Sequence, residues 1–171
     1  MPRTLPHPAR ERRYLKNVGV VRRVRALAVA GWPRPILATE LGLSHCHLVR
    51  VYDARVSFPQ LAARIAALYD RLSGLEPPDT TASRITRGRA LAAGWLGPDA
   101  WTPATIDDPD GRPLSRRARA RVEDLAWMLE TGEGLAGACM RLAVAPYALH
   151  RNLERIHRLD LWQQLAARDA A

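Results

Sequence analysis

Residues 34–52 constrain this chain more than any other stretch. Two short segments of helical apolar spacing meet at a glycine, and their residue types are those a steeply crossed helix pair demands. Such helices need a small side chain where they touch, and Ala38 supplies it. Gly42 follows four residues later, in the turn. Leu37, Leu41, Leu43, Leu48 and Val51 occupy the inward positions, and Ser44 stands where the second helix needs an N-cap. Pro33 opens the first helix, where a missing N–H costs little. The pattern predicts a helix-turn-helix whose second helix, about 44–52, enters a major groove. An ordinary small helical bundle has no need of this alanine-turn-glycine register.

The rest of the chain points to an all-α fold. Its 28 alanines and 23 leucines stand against 10 valines, 5 isoleucines and 1 phenylalanine, a balance of helix formers over strand formers. Helices are expected at about 18–30, stopped by Gly31, and after a Ser57–Gln60 capping box, with Leu61, Ile65, Leu68 and Leu72 inward. A further helix is expected at about 83–93. Residues 94–113 then carry four prolines and three glycines. A structureless connection of this length reads as a linker or a docked functional loop. Fully extended, it would reach about 66–72 Å, against about 34 Å between successive major grooves on one face. The expected organisation is a basic arm (1–17), a helix-turn-helix domain (18–74), a linker with one helix (75–114) and a C-terminal helical domain (115–171). This amounts to two small helical bundles joined by a central helix and a long linker.

The C-terminal domain repeats the motif less cleanly over residues 135–153. Cys139 takes the small contact position and Ala143 the turn. Ala138, Leu142, Val144 and Leu149 face inward, but the last inward place falls on Asn152. Tyr147, His150, Arg151 and Arg155 are expected to face outward. Ser115 and Asp160 are the expected N-caps of the flanking helices.

Charge is uneven. The net charge is +9, and residues 1–75 hold 13 basic against 4 acidic residues, while residues 76–171 hold 13 of each. Much of the excess lies in a run from Arg3 to Arg25, and such an arm attracts a polyanion. Arg10, Arg12, Arg13 and Lys16 are candidates for phosphate or minor-groove contact. On the third helix His45, Cys46, His47, Val49 and Arg50 lie outward. Arg50 can bond guanine bidentately, the histidines can donate to base acceptors or phosphates, and Ser44 completes this set.

Other chemistry finds little support. His45 and His47 diverge by about 200° on a helix, so they do not converge on one metal ion. Asp107, Asp108 and Asp110 read as turn residues rather than a Mg²⁺ site. No phosphate loop, zincin spacing or nucleophile elbow occurs, so no enzymatic activity or cofactor is expected. The five tryptophans read as core or loop anchors. Cys46 and Cys139 form no spacing motif, which favours a reducing cytoplasm. The apolar stretches fall short of the roughly 20 residues that span a bilayer, and Pro6, His7 and Pro8 break any secretion signal.

The run Gly31–Tyr52, continuing through Val56–Leu72 and the segment from Gly94-Trp95 to Ile106-Asp-Asp-Pro109, resembles small helix-turn-helix regulators of actinobacteria and their phages. Immunity repressors with two DNA-binding modules are one such group. The resemblance implies a nucleoid-associated regulator of transcription, a repressor, whose partner is double-stranded DNA. A monomer on a bipartite site is favoured over a homodimer. The alternatives are a DNA-packaging or recombination accessory protein of the small-terminase kind, and a protein-binding adaptor that reads no bases.

Overall fold

The computed structural model describes residues 17–53 and 59–170. Among these the fold is all-α: ten helices and no strand. They are α1 (Val18–Ala30), α2 (Arg34–Glu40), α3 (His45–Tyr52), α4 (Pro59–Leu72), α5 (Thr81–Ala92), α6 (Pro103–Ile106), α7 (Arg116–Glu130), α8 (Leu135–Leu142), α9 (Pro146–Arg155) and α10 (Leu159–Asp169). A single 3-10 turn at Pro98–Ala100 precedes α6. The expected capping serine of α4, Ser57, and the arm residues Arg10, Arg12, Arg13 and Lys16 lie outside the described residues. The chain divides into two compact units, 1–112 and 113–171.

In the first unit α1 is the central helix, because its apolar residues wrap most of its circumference. Val20, Val21, Val24, Leu27 and Ala28 are all buried, and α1 touches α3, α4, α5, α6 and the 3-10 turn. Gly31 ends it in the left-handed conformation, φ 112°, with Trp32 N–H returning to the Leu27 carbonyl at 2.9 Å. Leu61, Ile65, Leu68 and Leu72 of α4 close the core from one side, as their spacing predicts.

Residues 75–112 belong to the first compact unit, and of the two readings open for residues 94–113 the structure has the docked one. Helix α5 packs on α1, with Ala90 buried, and Arg87 donates to the Ala30 carbonyl at 2.6 Å. Trp95 stacks on Tyr52 with ring centroids 5.4 Å apart. The stretch that follows is held by arginines of α1. Arg22 donates to the carbonyls of Thr105 (2.8 Å), Ile106 (3.3 Å), Asp108 (2.6 Å), Pro109 (3.5 Å) and Gly111 (3.1 Å). Its guanidinium also lies 4.3 Å from the centre of the Trp101 ring. Arg23 forms a two-pronged ion pair with Asp107, and Gly19 leaves room for it, since a Cβ there would collide with the Asp107 carboxylate. Arg25 donates to the Tyr52 carbonyl at 2.9 Å and lies over Trp95. The domain boundary therefore falls at Arg112, not near Gly74. The 66–72 Å reach does not apply to a stretch that is folded.

Of Asp107, Asp108 and Asp110, Asp108 accepts the Asp110 N–H at 3.0 Å, an Asx turn, and Asp107 is the partner of Arg23. No group of three metal-ligating side chains occurs among the described residues, and none of their helices is long and apolar enough to cross a membrane.

The second unit packs α7–α10 around Leu125, Met128, Leu129, Cys139, Leu149, Leu153, Leu161 and Leu165. Ser115 caps α7 as expected, accepting the Ala118 N–H at 3.2 Å. Asp160 is not an N-cap. His157 turns left-handed (φ 56°) and Arg158 N–H returns to the Leu153 carbonyl at 2.8 Å. That closure makes Arg158 the N-cap of α10, and Asp160 bonds its guanidinium from the first turn. Trp127 is no core anchor either, being 51% exposed beneath Arg141.

Two outcomes test the docked stretch. Arg22→Met keeps the aliphatic stem and deletes the donors, so the first unit should lose about 2 kcal/mol in urea unfolding. The Ile106 and Gly111 amides should at the same time lose hydrogen-exchange protection. The bonds from Arg23 hold the Asp107 carboxyl below its ordinary 3.8. The pair therefore contributes fully above about pH 4 and is lost as pH falls through the lowered value. Protection of residues 102–111 should weaken in that acid window, and Asp107→Asn should remove the acid dependence.

Candidate nucleic-acid interface

The α2–α3 pair has the geometry its sequence demands. Ala38 is buried at the crossing, and Leu37, Leu41, Leu48 and Val51 are at most 1% exposed. Gly42 is left-handed, φ 55°. Its N–H bonds the Thr39 carbonyl at 3.0 Å, and the Leu43 N–H bonds that of Ala38 at 2.8 Å. Arg64 of α4 donates to the Leu41 carbonyl, tying the turn to the core. Ser44 is the N-cap: its Oγ accepts the His47 N–H at 3.3 Å and contacts His47 Nδ1 at 2.9 Å. Ser44 thus sets the helix start and orients His47, leaving Nε2 as the ring nitrogen for an outside partner. His45, Cys46, His47 and Arg50 are exposed, and Val49 is half-buried. Among the described residues no ion pair ties down Arg50.

The structure adds two residues to this face that the sequence pattern did not assign. His45 opens onto a groove of about 390 Å³ whose walls carry Arg34, Arg89 and Trp95. Arg34 stands 5.1 Å from the centre of the Tyr52 ring. Arg89 arrives on α5, from the segment expected to be linker. The signal was visible as arginines on an amphipathic helix, but its place beside α3 depends on α5 packing against α1. Burial raises the Tyr52 phenol pKa, so Tyr52 is a neutral wall of the core. Arg22, Arg23 and Arg25, counted with the basic run, face residues 95–111 instead of solvent.

The second unit repeats the turn at a constant offset of 101 residues. Ala143 is left-handed (φ 50°), its N–H bonds the Met140 carbonyl at 3.1 Å, and the Val144 N–H bonds that of Cys139 at 3.0 Å. Ala145 holds the N-cap position with nearly the backbone angles of Ser44 but offers no side-chain cap, and Pro146 follows at N1. Leu149 and Leu153 are fully buried. Asn152 is half-buried rather than inward. It donates to the Ala148 carbonyl at 2.7 Å and accepts from Arg155 at 2.9 Å. Tyr147 (70% exposed), Arg151 and Arg155 face outward as expected. His150 does not: it is half-buried, edge-on to Trp162 at 5.1 Å, a packing residue between α9 and α10. Burial pushes the Cys139 thiol pKa up, so it stays a small apolar contact.

The two turns differ in cost. Gly42→Ala forces a Cβ into a left-handed position and should destabilise by about 1 kcal/mol. Ala143→Gly relieves the same strain and should stabilise by up to about 1 kcal/mol, with more unfolded-state entropy working against it. Urea midpoints of the two variants should move in opposite directions.

No protein-family model, curated protein or solved structure matches the chain.

Proposed function

We propose that this protein is a sequence-specific double-stranded DNA-binding regulator of transcription, a repressor, that reads bases with α3 and a second site with α9. The observation that carries the reading is the α2–turn–α3 unit. Its inner face is sealed by leucines, and its outer face presents His45, His47 and Arg50 with Arg34 and Arg89 alongside. A short helix this polar on one side and this exposed is suited to a major groove, where Arg50 can address guanine and the flanking arginines the phosphates. The sequence adds Arg10, Arg12, Arg13 and Lys16 ahead of α1 as further candidates for phosphate contact.

The second turn, at its fixed offset, supports a bipartite site. Tyr147 and Arg151 differ from His45 and Arg50, so two such modules read different sequences. A monomer on an asymmetric operator follows from that difference.

Arg50→Ala should weaken binding at the preferred site, found by selection from random duplexes, by about 1–3 kcal/mol and relax its base preference. Equal loss on specific and random DNA would reduce Arg50 to a phosphate contact. Tyr147→Ala with Arg151→Ala should shorten the footprint by about 10 bp on one side. A palindromic footprint unaffected by this change would instead mark residues 113–171 as an assembly domain.

A further inference from the structure

We propose that the second unit carries a phosphate-binding pocket, built by Arg117, Arg121 and Arg155, that seats one backbone phosphate of duplex DNA. The proposal rests on the DNA-binding reading above and adds to it residues of α7 that no helix-turn-helix pattern would nominate.

The pocket is a concavity of about 300 Å³ lined by these three arginines, Asn152 and Ser115, with Val144 and Ile156 among its apolar walls. No carboxylate lines it. The unit holds nine arginines and seven carboxylates, so a charge count predicts no such field. Three of the seven are occupied away from it: Glu133 pairs with Arg141, Asp160 with Arg158, and Asp169 accepts the Ala136 N–H. Glu123, Asp124, Glu130 and Glu154 are not among the lining residues.

Arg117 and Arg121 stand four apart on α7, a like-charged pair that destabilises a helix unless an anion lies between the two. Neither forms an ion pair among the described residues. The pocket also lies at the N-terminal end of α7, where Ser115 is the cap, and the helix dipole adds to the positive potential. Asn152 takes on a role here: its amide, anchored on the Ala148 carbonyl, holds the Arg155 guanidinium at 2.9 Å.

A tetrahedral phosphate suits a pocket lined by three arginines. It could come from a DNA backbone or from a free phosphate compound. The placement of Arg155 favours the backbone. Tyr147, Arg151 and Arg155 are spaced by four along one face of α9, so the stripe that would follow a duplex runs directly into the pocket.

The test uses the full chain and a duplex carrying its selected site, with affinity measured from 50 to 200 mM salt. Arg117→Gln with Arg121→Gln should lower the log–log salt slope by about one and weaken specific and random duplexes alike. Arg155→Gln, whose guanidinium bonds only Asn152 within the described residues, should give the same change and serves if the double variant unfolds. Unchanged slopes in variants that retain wild-type helicity overturn the pocket and leave the regulator reading intact. A wild-type chain that binds no duplex overturns that reading itself. Inorganic phosphate or a nucleoside monophosphate raising the melting temperature of the wild type but not of the variants, with unchanged DNA slopes, would assign the pocket to a small molecule and overturn the DNA assignment.

Discussion

A guanidinium carries five N–H donors in a rigid plane, and the carbonyls of residues 105–111 are spent on one of them. A stretch rich in proline and glycine cannot pair its own carbonyls in a ladder, and left unpaired in a partly buried position each would be costly. Arg22 removes that cost for the part-buried carbonyls of Thr105, Ile106 and Gly111 and also bonds the exposed ones of Asp108 and Pro109, while Trp101 covers its face. Because Arg22 is anchored on the central helix, what looks like a tether becomes a wall of the first unit. Separately, α5 packs directly on α1 and carries Arg89 to the side of α3.

The same interaction changes what the charge distribution means. Summed along the chain, the first half is strongly positive, and the run through Arg25 looks like one continuous arm. Arg22, Arg23 and Arg25 are nevertheless engaged internally with carbonyls, Asp107 and aromatic rings. The positive potential at the candidate interface comes instead from Arg34, Arg50 and Arg89, which are far apart in sequence. In the second unit the reverse happens. A nearly neutral composition still leaves one pocket lined by Arg117, Arg121 and Arg155 with no carboxylate in its lining, while Glu133 and Asp169 are occupied elsewhere. Net charge is additive along a sequence, whereas a binding surface depends on which charges share a face.

The two turns make a matched pair built with different chemistry. Gly42 enters the left-handed region freely, and Ala143 does so against a steric cost that the surrounding contacts must offset. Ser44 caps its helix with a hydroxyl, whereas Ala145 offers no side-chain cap and Pro146 at N1 lacks one of the N–H groups that would need one. Hydrogen bonding at a 101-residue offset shows that backbone geometry is preserved despite these changes, because both turns answer to the same requirement: a small residue at the crossing and buried leucines beneath.

Local pattern was enough to place most helices of this chain. The span of α1, the alanine-glycine register of the first turn, the buried faces of α3 and α4 and the cap of α7 are all short-range consequences of apolar period, capping hydroxyls and glycine stops, and these can be read one residue after another. The fate of residues 94–112 was only half legible, because proline and glycine left a linker and a docked loop both open, and what residues 105–111 dock against is set by an arginine more than 80 positions away. The mis-assigned Asp160 and His150 fail for the same reason: a left-handed closure at His157 and an aromatic neighbour at Trp162 override what each residue favours alone. Arg34 and Arg89 beside His45, and Arg117 and Arg121 beside Arg155, became neighbours only through packing. Helical period acts over four residues, but convergence of charge is decided by which helices touch.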